Sequence, residues 1–374
     1  MSPTYRVTHV IAGLTHGGTE KLVLQLAQLQ SSLGHHVAVA YINSVFTNHG
    51  DEQFEQEFKN RFQAFDVKTY ALDENPSRFY WLTRLRNFKR LLHTEAPDVI
   101  HVHLGRGLML MLLSRCKVPA TMTLHSVNIG FPRILFRLFR RLNVRYAAVS
   151  TSVAKNFETE IESSIEIIPN GIDYEKFRTR QIPHQQLNGE CTFVAVGRVL
   201  PPKNYPMLID AAKKLSENSV SETHPWKLVI AGDGPLLSEM RLKVTEQGLQ
   251  ERVTFLGGCS DIPEFLESAD VFVMSSDYEG MPIAMLEAMS VGLPVVCTNF
   301  LGVNEVVQAE QSALVSEVGD AESLASNMAR LLISHSMREQ LSLECVKASK
   351  HFSIQSTNEQ YLTMYQRTFE NQQS

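Results

Sequence analysis

Short apolar segments rich in β-branched residues alternate with segments of helical periodicity along the chain of 374 residues. Predicted strands in the first half are 6–13, 36–42, 98–104, 120–124 and 146–150; in the second half they are 192–197, 227–232, 252–257, 271–275 and 293–298. Helices are predicted between them, at 19–33, 78–93, 205–217, 235–247, 261–268 and 282–291. Near-continuous apolar strands separated by helices are typical of parallel sheets covered on both faces. The pattern therefore predicts an α/β fold.

The alternation is interrupted once, which suggests two domains. The stretch 167–177 contains Pro-Asn-Gly, and the stretch 178–190 is polar and without pattern. A chain of this length exceeds one ordinary hydrophobic core. We predict two doubly wound Rossmann-like domains, 1–170 and 171–353, that face each other across a cleft and bind ligands at the carboxyl ends of their strands. The last predicted helix, 354–370, follows a complete second sheet, so we expect the segment 354–374 to return to the first domain.

Composition and charge narrow the class of protein. With 44% hydrophobic and 20% charged residues, the chain is typical of a globular protein, and its net charge of −5 gives no overall attraction to nucleic acid. The N-terminus lacks a signal-peptide pattern, and no apolar run is long enough to cross a bilayer. We therefore expect a cytoplasmic protein. Its five cysteines contain no Cys-x-x-Cys and are expected to be reduced thiols: Cys116, Cys191, Cys259, Cys297 and Cys345.

Two cations lie on a predicted strand-to-helix loop of the second domain, in the stretch "VGRVLPPKNYPML". Arg198 follows the strand and Lys203 precedes the helix. A diphosphate carries at least two negative charges, and two cations held at a sheet edge would match it. Solvated loop cations are the alternative for this pair taken alone.

The stretch "EGMPIAMLEAM" places two carboxylates around a predicted helix start. Pro282 suits the first helical position, so the N–H groups near Gly280 and Met281 would offer an anion site. Glu279 precedes this turn and Glu287 lies about five residues into the helix. Because a carboxylate can accept two adjacent hydroxyl hydrogen bonds, carboxylates on both sides of an anion site match a nucleotide-sugar.

The first domain carries weaker signals. Gly17 and Gly18 open its first helix without forming a dinucleotide fingerprint or a P-loop, so close approach to a ligand and a tight structural turn remain equal alternatives. His101 and His103 point to one side of a predicted strand, but further ligands are not evident nearby. We therefore predict no metal site.

A segment rich in arginine, 131–145, is predicted to form an amphipathic helix. Its arginines recur at three- and four-residue spacing, which indicates one basic and one apolar face. A helix packed on the sheet with a solvated basic face is the favoured interpretation, and contact with the inner face of an anionic membrane is the alternative. The basic positions are Arg133, Arg137, Arg140 and Arg141, and the apolar ones are Leu135, Leu138, Phe139 and Leu142.

Five motifs, in order along the chain, resemble those of the retaining glycosyltransferases of family 4, which have the GT-B fold. They are the early "GG-T-E", "IIPNGID", "GRVLPPKN", "AGDGP" and "EGMPIAMLE". The resemblance covers nearly the whole chain and is most specific over 192–307. It implies transfer of a hexosyl group from a UDP- or GDP-linked sugar to a glycan or lipid-linked acceptor, without a metal or other cofactor. The implied setting is cell-surface polysaccharide or glycolipid synthesis.

The resemblance also implies roles for individual residues. Glu287 matches the ribose-binding glutamate, and Glu279 matches the glutamate that holds donor-sugar hydroxyls. Arg198 and Lys203 match the pair that neutralises the departing diphosphate. Further implied positions are the glycine loop at Gly17 and Gly18, a histidine near the transferred sugar at His125, and a mostly structural turn at Gly302 and Glu305.

Other functions remain open. A sugar-nucleotide epimerase shares the two-domain architecture, although the paired glutamates with upstream Arg198 and Lys203 disfavour it. A non-catalytic partner subunit is a second alternative, although every expected ligand residue is present. A dinucleotide dehydrogenase would need the glycine fingerprint that the chain lacks.

Overall fold

A computed structural model describes residues 4–15, 17–43, 52–73, 80–128, 131–177, 189–259, 261–307 and 311–373. The chain divides into two compact units, one formed by Met1–Gly171 with Ile354–Ser374 and the other by Ile172–Ser353. The polar stretch at 178–188 lies outside the described residues.

The first unit contains a seven-stranded parallel sheet in the order β3-β2-β1-β4-β5-β6-β7. Its strands are β1 Arg6–Ile11, β2 His36–Tyr41, β3 Lys68–Ala71, β4 Val99–Val102, β5 Ala120–Leu124, β6 Val144–Ala148 and β7 Ile165–Ile167. The helices before the second unit are α1 Gly18–Ser32, α2 Glu52–Gln63, α3 Tyr80–Glu95, α4 Gly105–Ser114, α5 Phe136–Phe139 and α6 Thr151–Lys155. In β1, "RVTHVI", the three apolar residues and the threonine are each 1% exposed or less. Such burial is what a strand covered on both faces requires.

The second unit contains a six-stranded parallel sheet in the order β10-β9-β8-β11-β12-β13. Its strands are β8 Cys191–Val196, β9 Trp226–Ala231, β10 Val253–Gly257, β11 Val271–Met274, β12 Val295–Thr298 and β13 Ala313–Ser316. Its helices are α7 Tyr174–Phe177, α8 Tyr205–Glu217, α9 Val220–Thr223, α10 Leu237–Glu246, α11 Ile262–Glu267, α12 Ile283–Ser290, α13 Ala321–Ile333 and α14 His335–Ser349.

The last helix, α15 Ile354–Gln373, belongs to the first unit. Tyr361 and Tyr365 of this helix are fully buried. The Tyr365 hydroxyl lies 2.7 Å from His101 Nδ1 of β4, and the Tyr361 hydroxyl lies 2.9 Å from Thr123 Oγ1 of β5. These contacts fix the end of the chain on the first sheet.

Strand order reverses at the centre of both sheets, between β1 and β4 and between β8 and β11. Ligands of doubly wound sheets bind outside the carboxyl ends of the strands at such a switch point. The loops that follow these four strands are therefore where a site is expected.

The prediction of one helix over 131–145 is wrong. The segment forms a single 3-10 turn, Arg133–Leu135, and the short helix α5, after which β6 begins at Val144. Phe136 and Phe139 are buried against aromatic neighbours, whereas Leu138, predicted on the apolar face, is 41% exposed. Burial of the two phenylalanines and pairing of β6 with β5 outweigh the helical periodicity of the arginines.

The arginines of this segment differ in exposure: Arg137, Arg140 and Arg141 are exposed, whereas Arg133 is half-buried. Arg133 donates hydrogen bonds to the carbonyl oxygens of Val127 and Asn156, and Arg140 forms an ion pair with Glu162. Among the described residues, none of the helices has the length and hydropathy needed to span a bilayer. Contact with a membrane surface stays a prediction.

Candidate functional site

Two loops at the switch point of the second sheet are tied together by hydrogen bonds. One follows β8 and carries Lys203, and the other follows β11 and begins at Ser275. Ser275 Oγ donates to the Lys203 carbonyl oxygen at 2.8 Å, and the Asp277 N–H donates to the Pro202 carbonyl oxygen at 2.9 Å. Asn204 Nδ2 donates to Asp277 Oδ1 at 2.6 Å. The two loops therefore form one connected structure at the edge where a ligand is expected.

Lys203 and Glu279, predicted from separate motifs, form an ion pair in this structure. Lys203 Nζ lies 2.6 Å from Glu279 Oε1, which also accepts a hydrogen bond from Ser276 Oγ at 2.7 Å. The two charged side chains are 23% and 14% exposed, so the pair is partly shielded from water. The pair therefore holds a cation and a carboxylate side by side at the carboxyl edge of the second sheet.

Arg198 is exposed on the same loop as Lys203, two residues after β8. The backbone of this loop is fixed by the loop that follows β9, because the Val199 N–H donates to the Asp233 carbonyl oxygen at 2.9 Å. A Cβ on Gly232 would lie 1.9 Å from the Gly197 carbonyl oxygen, and one on Gly234 would lie 2.5 Å from the Val199 carbonyl oxygen. The glycines of "AGDGP" therefore permit the close approach of two backbones.

Glu287 lies within α12 and is only 3% exposed. Its neighbours Leu286, Ala288 and Met289 are fully buried. Glu287 therefore does not lie on a solvated face of the helix. Burial of a carboxylate costs free energy unless its charge is paired or hydrogen-bonded.

The turn before α12 differs in one detail from the prediction. Pro282 has extended backbone angles and is the N-cap residue, so the helix begins at Ile283 and not at Pro282. Pro282 lacks an N–H group, and its carbonyl oxygen accepts hydrogen bonds from the N–H groups of Met285 and Leu286 at 3.0 and 3.1 Å. Met281 is buried and Gly280 is half-buried. Gly280 and Met281 therefore lie just before the first turn of this helix.

In the first unit, Gly17 is the N-cap residue of α1 and Gly18 is its first residue. A Cβ on Gly17 would lie 2.0 Å from Glu20 Oε2. The side chain of Glu20, the glutamate of "GG-T-E", thus folds back over the glycine. Gly302, in the second unit, has a φ of +91° and is the N-cap residue of the 3-10 turn Val303–Glu305.

The histidines of the first unit form a cluster that the sequence did not reveal. His9 on β1 lies opposite His101 on β4, and the ring nitrogens of His9, His101 and His103 come within 4.8 Å of one another. The prediction that His101 and His103 lack nearby partners of this kind is therefore wrong, because the parallel pairing of β1 with β4 brings a third imidazole beside them. The sequence feature that could have indicated the cluster is His9, a histidine within the mostly apolar strand "RVTHVI". It becomes informative only once the pairing of β1 with β4 is known.

The ring nitrogens of these three histidines are held by hydrogen bonds. His9 Nδ1 lies 3.1 Å from His103 Nε2, and His103 Nδ1 lies 2.9 Å from His125 Nε2. His9 Nε2 lies 3.0 Å from Gln30 Oε1. His101 Nδ1 lies 2.7 Å from the Tyr365 hydroxyl, and His101 Nε2 lies 2.8 Å from Thr123 Oγ1. A metal ion would have to displace these partners.

Burial keeps the cluster neutral. It lowers the pKa of His9 and the pKa of His125 from 6.5 to about 4, and it lowers the pKa of His101 and the pKa of His103 well below 6.5. His125, predicted near the transferred sugar, is partly exposed and follows β5 directly. The described structure thus places His125 at one end of a row of neutral imidazoles.

Sequence comparison identifies the family. Residues 16–176 match the family described as Glycosyltransferase Family 4, and residues 177–344 match Glycosyl transferases group 1. The UDP-Gal:alpha-D-GlcNAc-diphosphoundecaprenol alpha-1,3-galactosyltransferase of Escherichia coli is 31% identical over 296 residues, covering 72% of this chain and 74% of the relative. The chain belongs to the group 1, family 4 glycosyltransferases.

A second relative of this glycosyltransferase is a GDP-mannose-dependent alpha-(1-6)-phosphatidylinositol monomannoside mannosyltransferase of Mycobacterium tuberculosis. It is 32% identical over 186 residues, which cover 46% of this chain and 47% of the relative. Among solved structures, Anabaena HepE in complex with UDP and glucose has a TM-score of 0.80 at 19% identity and covers 96% of this chain and 99% of its own. Sucrose-phosphate synthase of Thermosynechococcus elongatus has a TM-score of 0.78 at 19% identity, with coverage of 98% and 99%. The fold is GT-B, with two Rossmann-like domains.

Proposed function

We propose that this glycosyltransferase moves a hexosyl group from UDP-hexose to a lipid-linked glycan acceptor with retention of anomeric configuration, in cell-surface polysaccharide or glycolipid synthesis. The observation that carries the proposal is the joined pair of loops at the second switch point, which holds Lys203 against Glu279. The Escherichia coli relative, whose name gives UDP-Gal as donor and a diphosphoundecaprenol acceptor, supports the choice of UDP and of a lipid-linked acceptor.

Each residue of the site has a distinct task in this proposal. Glu287 would accept hydrogen bonds from ribose hydroxyls, and Glu279 from hydroxyls of the hexose. Arg198 and Lys203 would neutralise the negative charge that grows on the diphosphate as the glycosidic bond breaks. The first-turn N–H groups of α12, preceded by Gly280 and Met281, would add partial positive charge.

Stabilisation of the leaving group would replace an enzymic nucleophile. The transition state of such a transfer carries oxocarbenium-like positive charge on the sugar, as in glycoside hydrolysis. We propose that the departing phosphate takes the proton of the acceptor hydroxyl on the same face of the sugar, so that the configuration is retained. Glu279, held by Lys203 and Ser276, serves as a hydroxyl acceptor in this scheme and not as a nucleophile.

We also propose that the reaction needs no metal ion, because Arg198 and Lys203 supply the positive charge. Treatment with EDTA followed by removal of the chelator should leave the rate unchanged. Loss of activity that Mg²⁺ or Mn²⁺ restores would contradict this part of the proposal.

The experiment is a transfer assay with purified protein, UDP-galactose or UDP-glucose, and a polyprenyl-diphosphate-linked N-acetylhexosamine as acceptor. We expect a glycosylated lipid whose new anomeric proton has the coupling of an α-linkage by NMR. An inverted β-product would contradict retention, and epimerised UDP-sugar without transfer would favour the epimerase alternative. Absence of both binding and turnover for every nucleotide-sugar would favour a non-catalytic subunit.

A further inference from the structure

The residue after Lys203 has a left-handed backbone and a side chain that joins two elements. Asn204 has a φ of +46° and a ψ of +48°, a conformation that asparagine tolerates better than most residues. Its Oδ1 accepts a hydrogen bond from the Met207 N–H at 3.3 Å and caps α8, and its Nδ2 donates to Asp277 Oδ1 at 2.6 Å. Because an N–H only donates and a carboxylate accepts, both partners require the same orientation of the amide.

The hydrogen bond between Asn204 and Asp277 runs beside the ion pair of Lys203 with Glu279. Both contacts join the same two loops, through consecutive residues on the loop after β8 and through residues two apart on the loop after β11. All four residues are half-buried. A hydrogen bond from an amide to a carboxylate is charge-assisted and stronger than one between neutral groups. The two contacts therefore support each other.

The other contacts of Lys203 fix its backbone but not its amine. Its N–H donates to the Leu200 carbonyl oxygen at 3.1 Å, and its carbonyl oxygen accepts from Ser275 Oγ at 2.8 Å. A Cβ on Gly197 would lie 3.0 Å from Lys203 Cε, so this glycine leaves room for the lysine stem at the end of β8. The stem is long and flexible, so the place of Nζ depends on Glu279 and on how closely the two loops are joined.

We propose that Asn204 and Asp277 are positioning residues that hold Lys203 Nζ ready for the diphosphate of the donor. This inference rests on the proposed function in assigning Lys203 to the diphosphate. The hydrogen bond between Asn204 and Asp277 keeps the two loops together, so that the amine is ordered before the ligand binds. Ordering a long side chain costs free energy, and a side chain that is ordered in advance avoids that cost on binding.

Two effects of Asp277 on UDP binding have opposite signs. A carboxylate close to an anion site repels the anion, so removal of its charge alone would strengthen UDP binding. Loss of its hydrogen bond to Asn204 would weaken UDP binding. Asp277→Asn removes the charge and keeps an oxygen that accepts from Asn204 Nδ2, whereas Asp277→Ala removes both. The two variants therefore form a matched pair that differs in the hydrogen bond.

The primary test is calorimetric titration of both variants with UDP. We expect Asp277→Asn to bind UDP at least as tightly as the unmodified protein. Loss of one hydrogen bond predicts that Asp277→Ala binds UDP about 3- to 10-fold more weakly than Asp277→Asn. Equal affinity of the two variants for UDP would overturn the proposal. Circular dichroism establishes that the variants are folded.

The second test repeats this comparison in the Lys203→Met background. With no amine to position, the UDP affinities of Asp277→Ala and Asp277→Asn should differ by less than about 2-fold. The same difference with and without Lys203 would overturn the positioning role, because Asp277 would then act on UDP independently of the lysine.

A measurement without ligand separates this proposal from the proposed function. The rate at which an amine reagent modifies Lys203, followed by mass spectrometry, reports how firmly Nζ is held, and Lys213 in the same protein is the reference. We expect Asp277→Ala to raise this rate about 3- to 10-fold and Asp277→Asn to leave it unchanged. An unchanged rate in Asp277→Ala would overturn the proposal. If the unmodified protein binds no nucleotide, the proposed function fails, whereas this rate still decides whether Asp277 positions Lys203.

Discussion

At the scale of single residues, the sequence predicted candidate side chains for a site in the second unit but not how they are held. Glu279, Glu287, Arg198 and Lys203 follow from motifs that precede or enter helices. The ion pair of Lys203 with Glu279 could not be predicted, because it depends on β8 and β11 being neighbours although they are separated by two strands in the chain. The position of His9 beside His101 depends in the same way on the pairing of β1 with β4.

Replacement of Lys203 tests the charge at the site. We expect Lys203→Met to weaken UDP binding about 10- to 100-fold, because a charge-assisted hydrogen bond to the diphosphate is lost. Isothermal titration calorimetry measures the affinity. The control is Lys213→Met, which replaces a partly exposed lysine of α8 that pairs with Glu217. Unchanged UDP affinity in Lys203→Met would remove this residue from the site.

Replacement of Gly232 tests the close approach of two loops. A Cβ at this position would lie 1.9 Å from a backbone oxygen, so the loop must shift, and we expect Gly232→Ala to lower the free energy of unfolding by about 1–3 kcal/mol. Chemical denaturation measures the change. Gly258→Ala, whose Cβ would have no atom within 4 Å, should be nearly neutral. Equal stability of the two variants would contradict the steric explanation.

At the scale of elements, the long apolar strands were predictable and the short ones were not. The strands β3, with the sequence "KTYA", and β7, with "IEI", lie at the edges of their sheet and carry charged residues, so they lack the continuous apolar signal of buried strands. The prediction of one helix over 131–145 was wrong for the opposite reason. Its periodicity was clear, but Phe136 and Phe139 gain more by burial than a continuous helix would give.

The tyrosines of α15 provide a test at this scale. Tyr365→Phe removes the hydroxyl that contacts His101 and should lower the free energy of unfolding by about 1 kcal/mol. Tyr365→Ala, which leaves a cavity at a fully buried site, should lower it by about 3–5 kcal/mol. Urea unfolding distinguishes the two, and similar small effects of both would mean that α15 does not support the first sheet.

At the scale of the whole molecule, the buried histidines link stability to pH. Their pKa values are lowered in the folded protein, so the unfolded chain binds more protons between pH 6.5 and about pH 4. Stability is therefore complete above pH 6.5 and falls as the pH decreases through this window. For His9 and His125, the lowered pKa corresponds to on the order of 3 kcal/mol each across this window.

Thermal unfolding between pH 7.5 and pH 4.5 tests this linkage. We expect the melting temperature to fall steeply below pH 6.5, and we expect His9→Gln to reduce that slope. His36→Gln, a replacement of an exposed histidine at the start of β2, is the control and should leave the slope unchanged. An identical slope in His9→Gln and the unmodified protein would show that other groups cause acid sensitivity.

The division into two Rossmann-like domains was the most predictable property, because every buried parallel strand contributes to the same apolar signal. The choice of base, hexose and acceptor was not predictable in this way, since few side chains encode it. The central claim is that the second unit binds a nucleotide diphosphate through Glu287 and the Lys203–Glu279 pair.

The most direct measurement of this claim is calorimetric titration of the whole protein with UDP, GDP and ADP. We predict that UDP binds to the unmodified protein and to Glu246→Gln, an exposed carboxylate on α10, and that Glu287→Gln binds UDP at least about 10-fold more weakly. Equal affinity of Glu287→Gln and the unmodified protein for UDP would contradict the account. So would tighter binding of GDP or ADP than of UDP, if Glu287→Gln left that binding unchanged.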